Sequence, residues 1–485
     1  SSTNWCDAWI EIRRANILLE KVDKVNMSDA AKNHWKGFAR LMRAWHHYQL
    51  VRAYGDVPWV EKSLDISEEG LLYGPRENRD GVMDKVLEDL NFAIGNMYDN
   101  KSKTNINRNI AQAMKAEICL FEGTFRKYRK AADGQSAPDM TGSTKFLTEA
   151  KTAAAYLMEQ PYTLNPSYQG NYNSLDLSKN NEMIFYKAYK QDILQHSLIA
   201  YISSSTQMSG MSKDAFESYL FTDGKPLALT TLSKDDAAKM LIGTKVVAGK
   251  TVPDTVLSIT HMLDLRDKRL EQTIDTALSY VGRGFTRFGS GISNTSSTGY
   301  GVSKYDNKEI DNMYRNQTTR NFTHAPIFWL STVYLQYVEA CAELGTTTQA
   351  DLDKSINKLK ARAGLPPLTV NVGFSDPAND MGVNDLIWEV RRERRIELMF
   401  DNWARYWDLI RWHQLDKLDS KVHPDILLGA NIVNDPFDKA VPRVGNYIDG
   451  SKGKERIYDK KHYWYPIPSN QISLNDKLTQ NPNWN

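Results

Sequence analysis

Apolar residues recur every three or four positions in a series of consecutive segments, each roughly 12 to 22 residues long. One stripe runs through Trp35, Phe38, Met42, Trp45 and Val51, with a break at Gln49. Another runs through Val82, Val86, Leu90, Ala93 and Met97, with Asn78 or Asp80 placed to cap its start. A third follows Asn107 through Ile110, Met114, Ile118, Phe121 and Phe125; a fourth, Phe146 to Leu157, is stopped by Pro161. Near the C-terminus, Leu330, Val333, Tyr337, Cys341 and Leu344 precede Gly345, and Leu352, Ile356, Leu359 and Ala363 precede Gly364 and Pro366. Spacing of this kind puts one apolar face on each helix, and that face must be buried against another element. Helices arriving in consecutive pairs predict a mainly α protein built as a tetratricopeptide-like helix-pair scaffold, although the strict tetratricopeptide consensus is absent.

The stripes stop in the middle of the chain. Residues 161–325 carry YTLNPSYQGNYNSLD (162–176) and GRGFTRFGSGISNTSSTGYG (282–301), which are turn and loop chemistry, and one short strand candidate, NEMIFYKAYK (181–190). Loops this long inside a compact protein are usually functional or disordered, and these read as a binding region. The expected organisation is helical pairs over 1–160, a loop-rich, mixed ligand-binding region over 161–325, and helical pairs with a tail over 326–485.

Composition narrows the function. Lysine and arginine total 61 against 59 aspartates and glutamates, too even for a dedicated nucleic-acid binder. Cys6, Cys119 and Cys341 lie far apart without a CxxC spacing, and adjacent His46 and His47 point about 100° apart on a helix and cannot share one ion. HExxH, GxSxG and phosphate-loop motifs are absent; GRGFTR (282–287) lacks the third glycine of a dinucleotide fingerprint. No metal and no cofactor is expected, and no run of 18 apolar residues exists to span a bilayer. The chain is rich in aromatics, with 12 Trp, 24 Tyr and 15 Phe, and aromatics clustered on loops are a binding signal.

The densest segment is RRERRIELMFDNWARYWDLIRW (391–412). Ile396, Met399, Phe400, Trp403, Tyr406, Trp407 and Ile410 fit one continuous helix face, although Asp401-Asn402 also fits a break and a new cap. Glu389, Glu393 and Glu397 interleave with Arg391 and Arg395 at i, i+4, while Arg394 and Arg405 are placed to reach acids on neighbouring helices. Arginine and carboxylate in this density hold helices in register, so the segment reads as scaffold.

This segment also carries a family resemblance. ERRIEL and RYWDL-RW, with FARLMRAWHHYQLVRAYGDVPWV (38–60), the pair YLQYVEACAELG and INKLKARAGLP, and HYWYPIPSNQISLNDKLTQNPNW (462–484), resemble the SusD/RagB family in order along the chain. The resemblance implies a single SusD-like domain over 1–485 and a non-enzymatic role. That role is cell-surface capture of an oligosaccharide or polysaccharide for a SusC-like TonB-dependent transporter of the outer membrane. It also implies a lipid anchor; Cys6, within WCDAWI, lacks a lipobox, so the anchored cysteine is expected upstream of this numbering. Family sites are built on the loop after YGDVP and on loops of the middle region. Here those loops offer Tyr73, Arg76 and Asn78, and Tyr280, Phe285, Arg287, Phe288, Tyr300 and Tyr314, with at least two of the middle aromatics expected on sugar. Trp59 reads as a wall of the turn. The competing readings are a helical glycoside hydrolase or lyase, and a repeat scaffold for a peptide or protein.

Overall fold

A computed structural model describes residues 2–203, 209–278, 280, 296–315, 317–435 and 441–484. The helical stripes fold as their spacing predicts. Helix Ser2–Lys21 packs on Asp29–Tyr54, which packs on Arg79–Asn96; Arg108–Tyr128 packs on Met140–Met158, which carries Leu330–Glu343. Capping residues set the starts: Ser28, Asn107, Asp139 and Asn384 each accept a first-turn backbone N–H. Glycines in left-handed conformation set the stops, with φ of 74° at Gly55, 70° at Gly345 and 73° at Gly364. Gln49 does not interrupt its helix. The stripe from Leu352 to Ala363 does divide, into Gln349–Asp353 and Ile356–Arg362. Ser355 turns its hydroxyl back onto the Asp351 carbonyl, and its own backbone leaves the helical region.

The apolar faces meet in one large core that runs from Trp5 to Ile467 and includes Phe121, Phe146, Val333 and Trp412. Burying each such side chain contributes about 1.5–3 kcal/mol. A second core gathers the middle region around Phe216, Tyr219, Leu257, Tyr280 and Tyr300, and adds Ile396 and Met399 from the C-terminal third.

The strand expected in 181–190 is Met183–Lys187, paired antiparallel with Ala325–Trp329, so the two ends of the middle region are stitched together. The middle also holds a hairpin that the loop chemistry did not reveal. Lys239–Val247 pairs residue for residue with Lys250–Ser258 across Ala248-Gly249, both at positive φ. A two-residue turn of that kind matches the twist of the strands it joins.

Candidate ligand-binding site

The segment 391–412 is not one helix. It forms Asp385–Glu397 and Ala404–Arg411, separated by a turn in which Phe400, Asn402 and Trp403 all have left-handed φ, of 69°, 44° and 58°. Asparagine adopts that conformation readily; phenylalanine and tryptophan do so at a cost of about 1–2 kcal/mol each. The surrounding structure imposes it. Lys304 Nζ donates to Met399 O at 2.9 Å and to Asp401 Oδ2 at 2.8 Å, and the Tyr305 hydroxyl lies 2.7 Å from Asp401 Oδ1. A lysine and a tyrosine from the middle region thus claim the carboxylate that would otherwise cap or continue the helix. The result is a strained turn that exposes Trp403 at 80% and Phe400 at 40%. Strain held by a buried clamp is a feature of functional sites.

The turn forms one edge of a cavity of about 1400 Å³. Its walls come from helix Asp385–Glu397 (Trp388, Arg392, Arg395), the short helix Lys213–Glu217, and the segments around Asp376 and His423. Drug-sized sites occupy roughly 300–1,000 Å³, so the space suits an oligomer rather than a small metabolite. Its rim and walls mix aromatic faces with fixed charges. Trp388 Nε1 donates to Asp376 Oδ2 at 3.2 Å, and Asp376 also receives Arg392. Arg395 binds Asp214, Lys213 bridges Glu217 at 3.0 Å and Asp425 at 2.5 Å, and Lys417 binds Asp380 at 2.8 Å. Burial pushes the Glu217 carboxyl up despite Lys213.

Most of the arginines in the segment do hold scaffold, chiefly across elements, although Arg392 to Glu389 and Arg411 to Asp408 also pair along their own helix. Arg391 reaches Glu343 at 3.0 Å, Arg394 reaches Asp408 at 2.9 Å, and Arg411 grips Glu339 through two nitrogens at 2.5 and 2.7 Å. The exception is Arg405, which lines the cavity and, among the described residues, forms no hydrogen bond or ion pair, although Asp214 and Asp408 attract it from farther off. The expected continuous face is therefore corrected at Phe400 and Trp403, which stand on the turn between the two helices. The Asp401-Asn402 break was the readable signal of that difference.

The residues expected on ligand loops fall in three separate places, and among the described ones none lines the cavity. Tyr73 is exposed, but its loop is tied to the C-terminal tail: Arg76 donates to Asn481 Oδ1 at 2.7 Å and Thr479 Oγ1 at 3.1 Å, and Asn475 donates to Gly74 O at 3.0 Å. Asn78 caps helix Arg79–Asn96 by accepting from Asp80 N at 2.9 Å. Tyr280 and Tyr300 are brought together, but inside the second core, at 1% and 3% exposure, with Tyr300 stacked on Phe216 at 4.6 Å. Neither ring face is open to a sugar. Tyr314 is half-buried, held by Gln191 at 2.8 Å and Asp192 at 3.1 Å. Phe285, Arg287 and Phe288 lie outside the described residues. Asn78→Ala should therefore cost about 1 kcal/mol of stability in urea unfolding and leave glycan affinity unchanged; a weakened affinity would return Asn78 to the ligand.

Among the described residues, no group of three or more His, Cys, Asp or Glu side chains is arranged to hold a metal ion. No helix among them is long and apolar enough to cross a membrane.

A profile described as the SusD family matches residues 172–484, and a profile described as starch-binding associating with outer membrane matches residues 1–120. A SusD-like protein of Bacteroides ovatus is 22% identical over 426 residues, 84% of this chain and 65% of that one. The chain spans between 26% and 65% of the length of the curated relatives it matches. Among solved structures, a SusD-like carbohydrate-binding protein of Bacteroides fragilis superposes with a TM-score of 0.70 at 21% identity, covering 98% of this chain and 85% of that one. A laminarin-binding SusD-like protein superposes with a TM-score of 0.55 at 17% identity, covering 100% and 86%.

Proposed function

The chain belongs to the SusD family, and from that premise we propose that it captures an oligosaccharide or polysaccharide at the cell surface in the cavity beside Trp403. We propose further that it passes the glycan uncut to a SusC-like TonB-dependent transporter of the outer membrane, to which it is held by a lipid anchor upstream of this numbering. The observation that carries the reading is the exposed Trp403 on its clamped turn at the edge of a cavity lined by charged and aromatic groups. An indole face packs against the apolar C–H face of a pyranose, while arginine, aspartate and backbone groups take the hydroxyls. The matched profile described as starch-binding and the laminarin-binding structural relative support a carbohydrate ligand.

The charge arrangement favours binding over hydrolysis. A glycosidase needs two carboxyl groups facing one bond, one of them free to give up a proton. Asp214, Glu217, Asp376, Asp380 and Asp401 of the cavity each sit in an ion pair with an arginine or lysine. A binding screen of the purified protein against plant, host and microbial polysaccharides, run with an assay for released reducing ends, tests the reading. Retention of at least one polysaccharide without release is expected. Release of reducing ends would overturn the non-catalytic half, and retention of none would overturn the whole.

A further inference from the structure

We propose that the cavity selects glycans bearing a negative charge, a uronate carboxylate or a sulfate ester, and that Arg405 receives it. This rests on the glycan-capture reading above and goes beyond it to the class of sugar.

The cavity carries a cation beyond those its own acids pair with. Each acid that lines the cavity already has its cation: Asp214 has Arg395, Glu217 has Lys213, Asp376 has Arg392, Asp380 has Lys417, and Asp401 has Lys304. The lining also includes Arg405 and Arg456. Arg456 is exposed and its charge is solvated. Arg405 is half-buried, and among the described residues its guanidinium forms no hydrogen bond or ion pair. Its nearest charges are shared ones. Asp214 serves Arg395 as well as Arg405, and Asp408 is held by Arg394 at 2.9 Å and Arg411 at 2.9 Å.

A half-buried cation without a partner destabilises a fold, and here a second cation stands beside it. Burial and the like charge of Arg395 together pull the Arg405 guanidinium down to about 9. An arriving carboxylate or sulfate relieves both effects at once. The guanidinium is suited to that role, because its planar donors bind such oxygens two at a time. Position adds selectivity. Arg405 and Trp403 line the same cavity, Trp403 on the turn and Arg405 in the first turn of helix Ala404–Arg411, so one oligosaccharide is offered both an indole face and a cation.

A glycan array with uronate-bearing, sulfated and neutral arms tests this on the full chain. Binding concentrated in the uronate or the sulfate arm is expected, and which of the two binds identifies the source of the charge. The best acidic oligosaccharide is then titrated by calorimetry against the wild type, Arg405→Gln and Arg405→Lys. Loss of a charge-assisted contact predicts affinity about 10- to 100-fold weaker for R405Q, with partial retention for R405K. Wild-type affinity should also fall as sodium chloride is raised, a measurement that does not depend on any variant folding. Since Arg405 has no hydrogen bond or ion pair to lose among the described residues, R405Q should unfold at the wild-type temperature or above it. Binding confined to the neutral arm, or an acidic ligand indifferent to R405Q and to salt, overturns the charge inference and leaves glycan capture standing. Binding in no arm overturns both.

Discussion

Arg269→Met should destabilise the protein by about 3–5 kcal/mol, the usual loss when one partner of a buried ion cluster is removed. Arg269 is fully buried and serves three carboxylates. It donates to Asp267 at 2.6 Å, to Glu393 at 2.5 Å and to Glu397 at 2.7 Å. Glu397 continues the chain to Arg362, which reaches Glu182 at 2.9 Å. One cluster therefore ties the middle region to helix Asp385–Glu397, to the helix Ile356–Arg362 and to the turn before the strand Met183–Lys187. Methionine fills the space but leaves Asp267 and Glu393 charged and desolvated. Adding Asp267→Asn and Glu393→Gln should recover part of the loss, because the penalty lies in the orphaned charges rather than in the missing attraction. Urea unfolding measures both; a loss under about 1 kcal/mol for the single variant would mean that the cluster is relaxed by water.

The same cluster sets an acid limit. Burial alone would raise the Glu397 carboxyl, but Arg362 and Arg269 outweigh it and hold it at about 2, against an ordinary 4.5. A depressed carboxyl contributes stability above its unfolded value and loses it as pH falls toward the folded one, here about 3 kcal/mol between roughly pH 4.5 and 2. Acid unfolding should therefore start below pH 4.5 and move to higher pH in Arg269→Met.

Much of this scaffold was legible in the residues. Amphipathic spacing located the helices because a helix face that must be buried leaves a periodic trace, and Asn107, Gly345 and Gly364 marked ends because their chemistry is local. The arginine-rich segment was legible as ion-paired scaffold for Arg391, Arg394 and Arg411. The partners were not legible: Glu343, Asp408 and Glu339 are chosen by tertiary packing, which i, i+4 spacing does not encode. The site was the least legible part. Tyr280 and Tyr300 have the composition of loop aromatics, yet they seed a second core whose other half comes from Phe216 and Ile396. Conversely, Trp403 has the spacing of a core residue. It stands at the surface on a turn where Lys304 and Tyr305, about a hundred positions earlier, hold Asp401. A clamp between distant residues leaves no periodic mark on either of them.

That inversion gives Trp403→Ala the second large expected effect. The indole is 80% exposed, so its removal creates no cavity in the core, and its backbone at φ 58° is one that alanine tolerates no better or worse. Stability should be unchanged within about 0.5 kcal/mol. Glycine at the same position carries no penalty for left-handed backbone and should leave the protein as stable or more so. Affinity for whichever glycan binds the wild type should nonetheless fall about 30-fold in both variants, the equivalent of about 2 kcal/mol for a central aromatic contact. A residue kept exposed and strained, whose loss harms binding and spares folding, is one retained for its ligand. A loss of stability without a loss of affinity would reverse the assignment, making Trp403 a structural residue and moving the search for the sugar platform to Phe400 on the same turn and Trp388 on the facing helix Asp385–Glu397.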